Sequence, residues 1–230
     1  MKKICVLSGA GISAESGIRT FRDSDGLWEE HDIMDVASPL GWERNKKLVL
    51  DFYNQRRKSV QLAKPNTAHY ALVELEEKFE VTIITQNIDD LHERAGSSKV
   101  IHLHGEIFKS KSSIDHSLVY NCPGNLRPGD LCEKGSQLRP HVVWFGEPVP
   151  LFEDAASVVS STDILIIIGT SMVVYPAAGL LDFAPPHAMI FNVNPDVPPS
   201  VNQGIVFIAD KASSGVPELV KTLLRGEECR

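Results

Sequence analysis

His104 is the side chain best suited to move a proton. It stands in His102-Leu103-His104-Gly105-Glu106-Ile107-Phe108, at the end of the apolar run Val100 to Leu103. Imidazole titrates near neutrality, which suits a general base. A lone histidine is more often structural. Two in alternation before a glycine, at a strand end, point to an edge that something approaches closely. A second group follows the run Val81 to Ile84: Gln86, Asn87 and Asp89 place three hydrogen-bonding side chains in four positions. The plainer reading is an Asn or Asp capping a helix that starts near Leu91. A third is Gly9-Ala10-Gly11-Ile12-Ser13-Ala14, which follows the run Lys3 to Leu7 and fits G-x-G-x-x-G/A. Such glycines permit a tight turn and let backbone N–H groups approach a pyrophosphate. The turn has no P-loop lysine. The acidic residue expected about twenty positions on, at a second strand end, is also missing, since that region reads TFRDSDGLW. A dinucleotide bound here would not be bound in the ordinary dehydrogenase manner. Two more strand ends deliver Gly169-Thr170-Ser171 and Asn192 with Asn194. Each is ordinary alone; five together give one edge the small, amide and imidazole residues that a dinucleotide cleft requires.

The elements that must hold these residues are legible from the apolar pattern. Lys3 to Leu7, Val81 to Ile84, Val100 to Leu103, Ile164 to Ile168, Met189 to Val193 and Ile205 to Ile208 are mostly continuous apolar runs. Strands of a parallel sheet covered by helices on both faces read this way. Helical patterns lie between them, one opening at Asn66-Thr67 with Ala68, Ala71, Leu72, Leu75 and Phe79 on one stripe, another over Gly215 to Arg225. The alternation predicts an α/β fold, a Rossmann-like doubly wound parallel sheet. Two stretches break it. Trp28 to Lys64 shows no strand but a helix over Arg44 to Leu62, and Lys109 to Pro140 is polar and rich in Gly, Pro and Ser. The expected division is a main domain of residues 1–27, 66–108 and 141–230 and a small inserted module of 28–65 and 109–140.

At 230 residues and 43% hydrophobic, the chain can bury a full core. No stretch of eighteen apolar residues exists, so no membrane span is expected. The short Met1-Lys2-Lys3 start leaves no room for a leader peptide. Four scattered cysteines (5, 122, 132 and 229) suit a reducing cytoplasm. A net charge of -7 argues against nucleic-acid binding. A monomer is the default expectation.

Taken in order, G-A-G-I-S, G-I-R-T-F-R, T-Q-N-I-D, H-G, V-V-W-F-G-E, G-T-S and N-V-N-P resemble the sirtuins, the NAD-dependent protein deacylases, from Lys3 to about Ala212. The resemblance implies that NAD is bound by Gly9, Ala10, Gly11, Ser13, Ala14, Gln86, Asn87, Ile88, Asp89, Gly169, Thr170, Ser171, Asn192, Asn194 and Ala212. Thr20, Phe21 and Arg22 would lie near the nicotinamide ribose. His104 would be the catalytic base, with Asn87 beside it. In this family the acyl-lysine carbonyl attacks the ribose C1′, nicotinamide leaves, and acyl-ADP-ribose and free lysine result. Val143, Phe145 and Gly146, within His141 to Pro150, would clamp the acylated substrate peptide by strand addition with Tyr175 opposite. Tyr53 and Arg56, three apart on the expected helix, resemble the acyl-pocket pair of the subclass that removes succinyl and malonyl as well as acetyl groups. An arginine grips a carboxylate with two parallel hydrogen bonds and a phenol adds a third. The plainer reading is a solvated basic face, with Arg57 and Lys58 alongside.

One departure concerns zinc. Most sirtuins carry two CxxC-type pairs, whereas the insert here has only Cys122 and Cys132, with Ser112 and Ser113 near a lost position. This argues against a structural zinc, although Asp115 or His116 could complete a site. Packing of Ile114, Leu118, Val119, Tyr120 and Leu138 would then hold the insert. A protein ADP-ribosyltransferase and a silent NAD-sensing module remain as alternatives to the deacylase.

Overall fold

The structure, a computed structural model, describes residues 1–19, 27–28, 31–170, 177–196 and 204–226. Along the chain, β1 (Lys3–Ser8) leads into the short α1 (Gly11–Ala14). A hairpin of β2 (Leu27–Trp28) and β3 (His31–Asp32) precedes α2 (Ile33–Val36), α3 (Pro39–Arg44), α4 (Lys46–Leu62) and α5 (Thr67–Glu74). Then come β4 (Glu80–Thr85), α6 (Leu91–Ala95), β5 (Val100–His102), β6 (Gly105–Ser112), β7 (Val119–Asn121) and β8 (Leu138–Val142). The chain continues through α7 (Phe152–Ser160), β9 (Ile164–Ile168), β10 (Met189–Val193), β11 (Ile205–Ile208) and α8 (Ala212–Arg225).

Six strands form one parallel sheet in the order β11-β10-β9-β1-β4-β5. Both faces are buried, which is why the strands read as unbroken apolar runs. Ile4, Val6, Ile164 and Ile166 pack with Leu72 of α5 and Val216, Leu219 and Val220 of α8. Cys5, Leu7, Leu165 and Ile167 pack on the other side with Ala155 and Val159 of α7. The chain winds outward from β1 in both directions, so the strand order reverses between β1 and β9. Ligands of such sheets bind beyond the carboxyl ends at that reversal. The register sets Ser8 against Thr85 and Ile168, and Ile168 against Val193. The residues that follow, Gly9, Gln86, Gly169 and Asn194, therefore leave the sheet at one level.

Several expectations need correction. No strand was expected between Trp28 and Lys64, yet His31–Asp32 pairs with Leu27–Trp28; two-residue strands carry no periodicity to read. The helix expected from Arg44 breaks at Asn45, whose side chain accepts the Leu48 amide and starts α4, while Ser38 caps the separate α3. The last helix begins at Ala212 rather than Gly215 and contains Pro217. That proline cannot donate to the Ser213 carbonyl, and the Thr67 hydroxyl does so instead.

A second core joins Val49, Leu50, Phe52, Tyr53 and Val60 of α4 to Ile107, Val142 and Trp144. The insert forms a three-stranded antiparallel sheet, β7-β6-β8. It is held only in part as expected: Leu138 packs against the second core, whereas Ile114 and Val119 are exposed. Cys122 and Leu126 enter the second core in their place. Asn54 of α4 grips Leu126 through both its amide nitrogen and its oxygen, each at 2.9 Å. An antiparallel sheet with one covered face leaves half its side chains in water, and composition does not say which half. Among the described residues no helix is long and apolar enough to cross a membrane.

Candidate active site

At the sheet's reversal point the turns after β1 and β9 press together. The amide of Gly9 donates to the Ile168 carbonyl at 2.9 Å and that of Gly11 to the Gly169 carbonyl at 2.8 Å. A Cβ on Gly11 would lie 2.6 Å from the Gly169 Cα, and one on Gly9 would lie 2.7 Å from the Thr170 Cβ. Gly169 itself has φ +57°, and a Cβ there would meet the Ile12 nitrogen at 2.5 Å. These glycines let two backbones touch. Their pattern suggested amides for a pyrophosphate, but the Gly9 and Gly11 amides are already donated within the protein.

From this junction a connected polar network runs along the edge. Asn87 Nδ2 donates to Ser13 Oγ at 3.1 Å, and Ser13 Oγ donates to Asp89 Oδ2 at 3.1 Å. A carboxylate only accepts, so with Asp89 ionised the Ser13 proton points to it and the Ser13 oxygen takes the Asn87 amide. That fixes the Asn87 side chain with its carbonyl oxygen as the outward acceptor. Burial pushes the Asp89 carboxyl up, opposed by the Leu91 amide, the Ser13 hydroxyl and the charges of His102 and Arg56. Gln86 Nε2 donates to Thr170 Oγ1 at 3.2 Å, and Asn194 Nδ2 donates to the Thr170 carbonyl at 3.0 Å. Asn192 is buried, and its Oδ1 has no hydrogen-bond partner among the described residues. An orphaned buried acceptor on this edge fits a ligand bearing hydroxyl or amide donors, as a dinucleotide does.

The two histidines divide their work. His104 Nδ1 faces the Gln86 carbonyl and His102 Nδ1 the Asn87 carbonyl, each at 3.1 Å. Carbonyls only accept, so each Nδ1 carries the proton. Burial holds His104 below the usual histidine value, and the Gln86 bond only partly opposes it. His104 is therefore neutral at pH 7 with its lone pair on Nε2, as a base requires. His102 Nε2 lies 2.6 Å from Glu93 Oε1. Burial alone would lower His102, but the hydrogen bond and charge of Glu93 overturn that and raise it. His102 ties Glu93 to the Asn87 loop, a role that alternation in the sequence did not reveal.

On α4 the two arginines of the basic face are buried, while Lys58 is exposed. Tyr53 is 0% exposed and Arg56 7%. Arg57 is buried too and is structural, with Nε donating to the Ile107 carbonyl and an amino group to Asn54 Oδ1. Trp144 Nε1 donates to the Tyr53 hydroxyl at 3.0 Å. The amides of Val143 and Phe145 donate to the carbonyls of His104 and Ala37, each at 2.9 Å, and Gly146 follows at φ +88°. Phe145 is exposed beside them. Ile88 accepts the Ile107 amide through its carbonyl. Ala14 is exposed at the end of α1, and the Ala212 side chain is buried in the core with Ile12 and Val193. Thr20, Phe21, Arg22, Ser171 and Tyr175 lie outside the described residues.

The insert does not fit a tetrahedral zinc site. Cys132 Sγ has the hydroxyls of Ser112 and Ser136 as neighbours, each at 3.4 Å, and Cys122 Sγ faces the Gly124 carbonyl. Asp115 is tied to Lys134 and Ser117. Neutral hydroxyls are poor substitutes for thiolates. Among the described residues no three His, Cys, Asp or Glu side chains gather as metal ligands.

A doubly wound sheet with this network at its reversal point defines a dinucleotide-binding α/β protein. Comparison with known proteins narrows the class. The Sir2 family model matches residues 9–176, and the chain belongs to that family. It is 53% identical over 225 residues to the NAD-dependent protein deacylase of Helicobacter pylori, covering 97% of this chain and 98% of that one. It is 48% identical over 231 residues to the protein of the same name from Bacteroides thetaiotaomicron, covering 97% and 99%. Among solved structures, a Sir2 homologue in complex with ADP-ribose superposes with a TM-score of 0.89 at 38% identity, covering 98% of this chain and 93% of that one. A Sir2 homologue–NAD complex gives 0.87 at 38% identity, with 98% and 90% covered.

Proposed function

We propose that this protein removes succinyl and malonyl groups, as well as acetyl, from protein lysines. It is an NAD-dependent protein deacylase, the activity for which its relatives are named. The burial of Tyr53 and Arg56 on the inner side of α4 carries the choice of acyl group. A guanidinium and a phenol one helical turn apart can together grip a carboxylate, and a short dicarboxylic acyl chain carries one. The charge of Arg56 acts on Asp89, which links the pair electrostatically to the polar edge.

NAD would supply the electrophilic ribose carbon, and with acyl-lysine and water the products are nicotinamide, acyl-ADP-ribose and free lysine. The chain's own part is orientation and one proton. His104 takes a ribose hydroxyl proton at Nε2, because its Nδ1 proton is committed to Gln86. Asn87, locked by Ser13 and Asp89, presents an oriented acceptor. The turn from Gly9 to Ala14 with Gln86, Ile88, Gly169, Thr170, Ser171, Asn192, Asn194 and Ala212 would receive the cofactor, to which Thr20, Phe21 and Arg22 are assigned as further contacts. Val143, Phe145, Gly146 and Tyr175 take the peptide. Free thiols at Cys5, Cys122 and Cys132 support action in a reducing cytoplasm.

The test compares kcat/KM for one peptide bearing succinyl-lysine or acetyl-lysine, in the wild type and Arg56→Met. The wild type should prefer succinyl, and the substitution should lower the succinyl-to-acetyl ratio at least about tenfold, the worth of one charge-assisted hydrogen bond. An acetyl preference that Arg56→Met leaves unmoved rejects the acidic-acyl pocket.

A further inference from the structure

Trp144 does not belong to the cofactor edge. It lies in the segment that follows β8, buried against α4 and 2% exposed. Its indole Nε1 donates to the Tyr53 hydroxyl at 3.0 Å. An indole N–H only donates, so the phenol oxygen is the acceptor and the phenol proton takes no part in this bond. A phenol proton rests in the ring plane on one of two sides. With the indole hydrogen filling one side, the proton is turned to the other. Trp144 thus sets the direction in which Tyr53 donates.

Trp144 is itself held with unusual completeness. The Arg139 guanidinium carbon stacks 3.2 Å from the indole centroid. The same guanidinium donates to both Glu147 oxygens, at 2.6 and 3.0 Å, and to the Val142 carbonyl at 3.0 Å. Glu147 Oε2 accepts the Trp144 backbone amide at 2.9 Å. Arg139 and Glu147 have side chains only 4% and 12% exposed. Burial would raise the Glu147 carboxyl, but the hydrogen bonds and charge of Arg139 hold it below the usual carboxylate range. Trp42 packs at 5.8 Å between ring centroids. A buried ion pair of this kind is weak evidence for stability, since apolar residues of the same volume would do as well. Its geometry is explained if the indole must not move.

We propose that Trp144, fixed by the Arg139–Glu147 pair, is a positioning residue for acyl selectivity: it aims the Tyr53 hydroxyl as a donor to a carboxylate on the acyl chain. The proposal rests on the acidic-acyl reading of Tyr53 and Arg56. It adds that selectivity depends on a residue outside that pair, which also joins the acyl pocket to the segment 143–146.

The experiment is a double-mutant cycle with Trp144→Phe and Tyr53→Phe, read as the succinyl-to-acetyl ratio of kcat/KM. Phenylalanine keeps an aromatic ring and removes the N–H. Trp144→Phe should lower the ratio about three- to tenfold, the worth of one aimed hydrogen bond, mostly through KM for the succinyl peptide. In the Tyr53→Phe background the same substitution should no longer change the ratio. Equal loss on both peptides, or an effect that persists without the Tyr53 hydroxyl, marks Trp144 as packing and overturns the proposal. Arg56→Met is run alongside. A ratio that falls with Arg56→Met but not with Trp144→Phe rejects this inference alone, whereas a ratio that neither moves rejects the acidic-acyl pocket itself. Arg139→Lys, which keeps the charge but loses the two-pronged grip on Glu147, should lower the ratio in the same direction as Trp144→Phe.

Discussion

At the scale of single residues, the chemistry turns on which nitrogen of which histidine holds a proton. His102 and His104 sit two apart, bond to consecutive carbonyls through the same ring atom, and yet are shifted in opposite directions, His102 up and His104 down. The difference is Glu93, which stands against one and not the other. A base works only when unprotonated, and burial depresses His104. The acid limb of the kcat/KM profile should therefore have its midpoint below the ordinary histidine value of about 6.5. His104→Ala should lower the plateau about 10²- to 10⁴-fold. A midpoint above 7, or a profile unchanged in His104→Ala, would remove His104 from the role of base. The sequence showed that an imidazole stood at a strand end. It did not show the tautomer, because Gln86 lies eighteen positions away and meets His104 only through the sheet.

At the scale of elements, the sheet was readable and the contact between its turns was not. β9, β10 and β11 have the bounds that their apolar runs gave; Gly169 and Asn194 end the first two, and Asp210 stands just past the third. The glycines after β1 and β9 looked like separate features, each aimed at a ligand. Folding sets them against each other, and a single Cβ on either side would collide with backbone. Gly169→Ala should thus act on stability as well as on NAD. The positive φ and the 2.5 Å clash with Ile12 together should cost about 2 kcal/mol or more. Urea unfolding measures it, with Gly124→Ala as the control, because a Cβ on Gly124 meets nothing within 4 Å. If the two variants unfold at the same midpoint, the turns do not touch as described. The insert was the hardest part to read. Its apolar residues are few, and only three dimensions tell that Leu126 is gripped by Asn54 whereas Ile114 faces water.

At the scale of the whole molecule, stability is coupled to pH through a pair of core histidines. His69 and His92 are 0% and 1% exposed, with ring centroids 5.0 Å apart. His69 Nδ1 accepts the Asn66 amide in the cap of α5, and His92 Nε2 meets Ser8 Oγ at 3.0 Å behind the cofactor turn. The remaining nitrogens, His69 Nε2 and His92 Nδ1, have no hydrogen-bond partner among the described residues. Neither ring has room for a charge. Burial pushes His69 down to about 4, and burial followed by the charges of His69 and His102 pushes His92 well below its usual value. In the unfolded chain both titrate near 6.5. Above that pH both states are neutral and the full stability is present. As the pH falls, the unfolded chain takes up protons that the folded one refuses, so stability is lost from about 6.5 down to about 4. Between pH 7 and 5.5 the loss should be about 1 kcal/mol for each histidine. His102 has the opposite sign, since its raised value favours the folded state at low pH, whereas His104 and His141, lowered by burial, add to the loss. Urea unfolding across this range reads the slope of stability against pH. In His69→Gln/His92→Gln the slope should flatten by close to two protons, whatever the variant's absolute stability. A slope that stays as steep as in the wild type would mean that the core histidines already share their protons with water, and that acid sensitivity arises elsewhere.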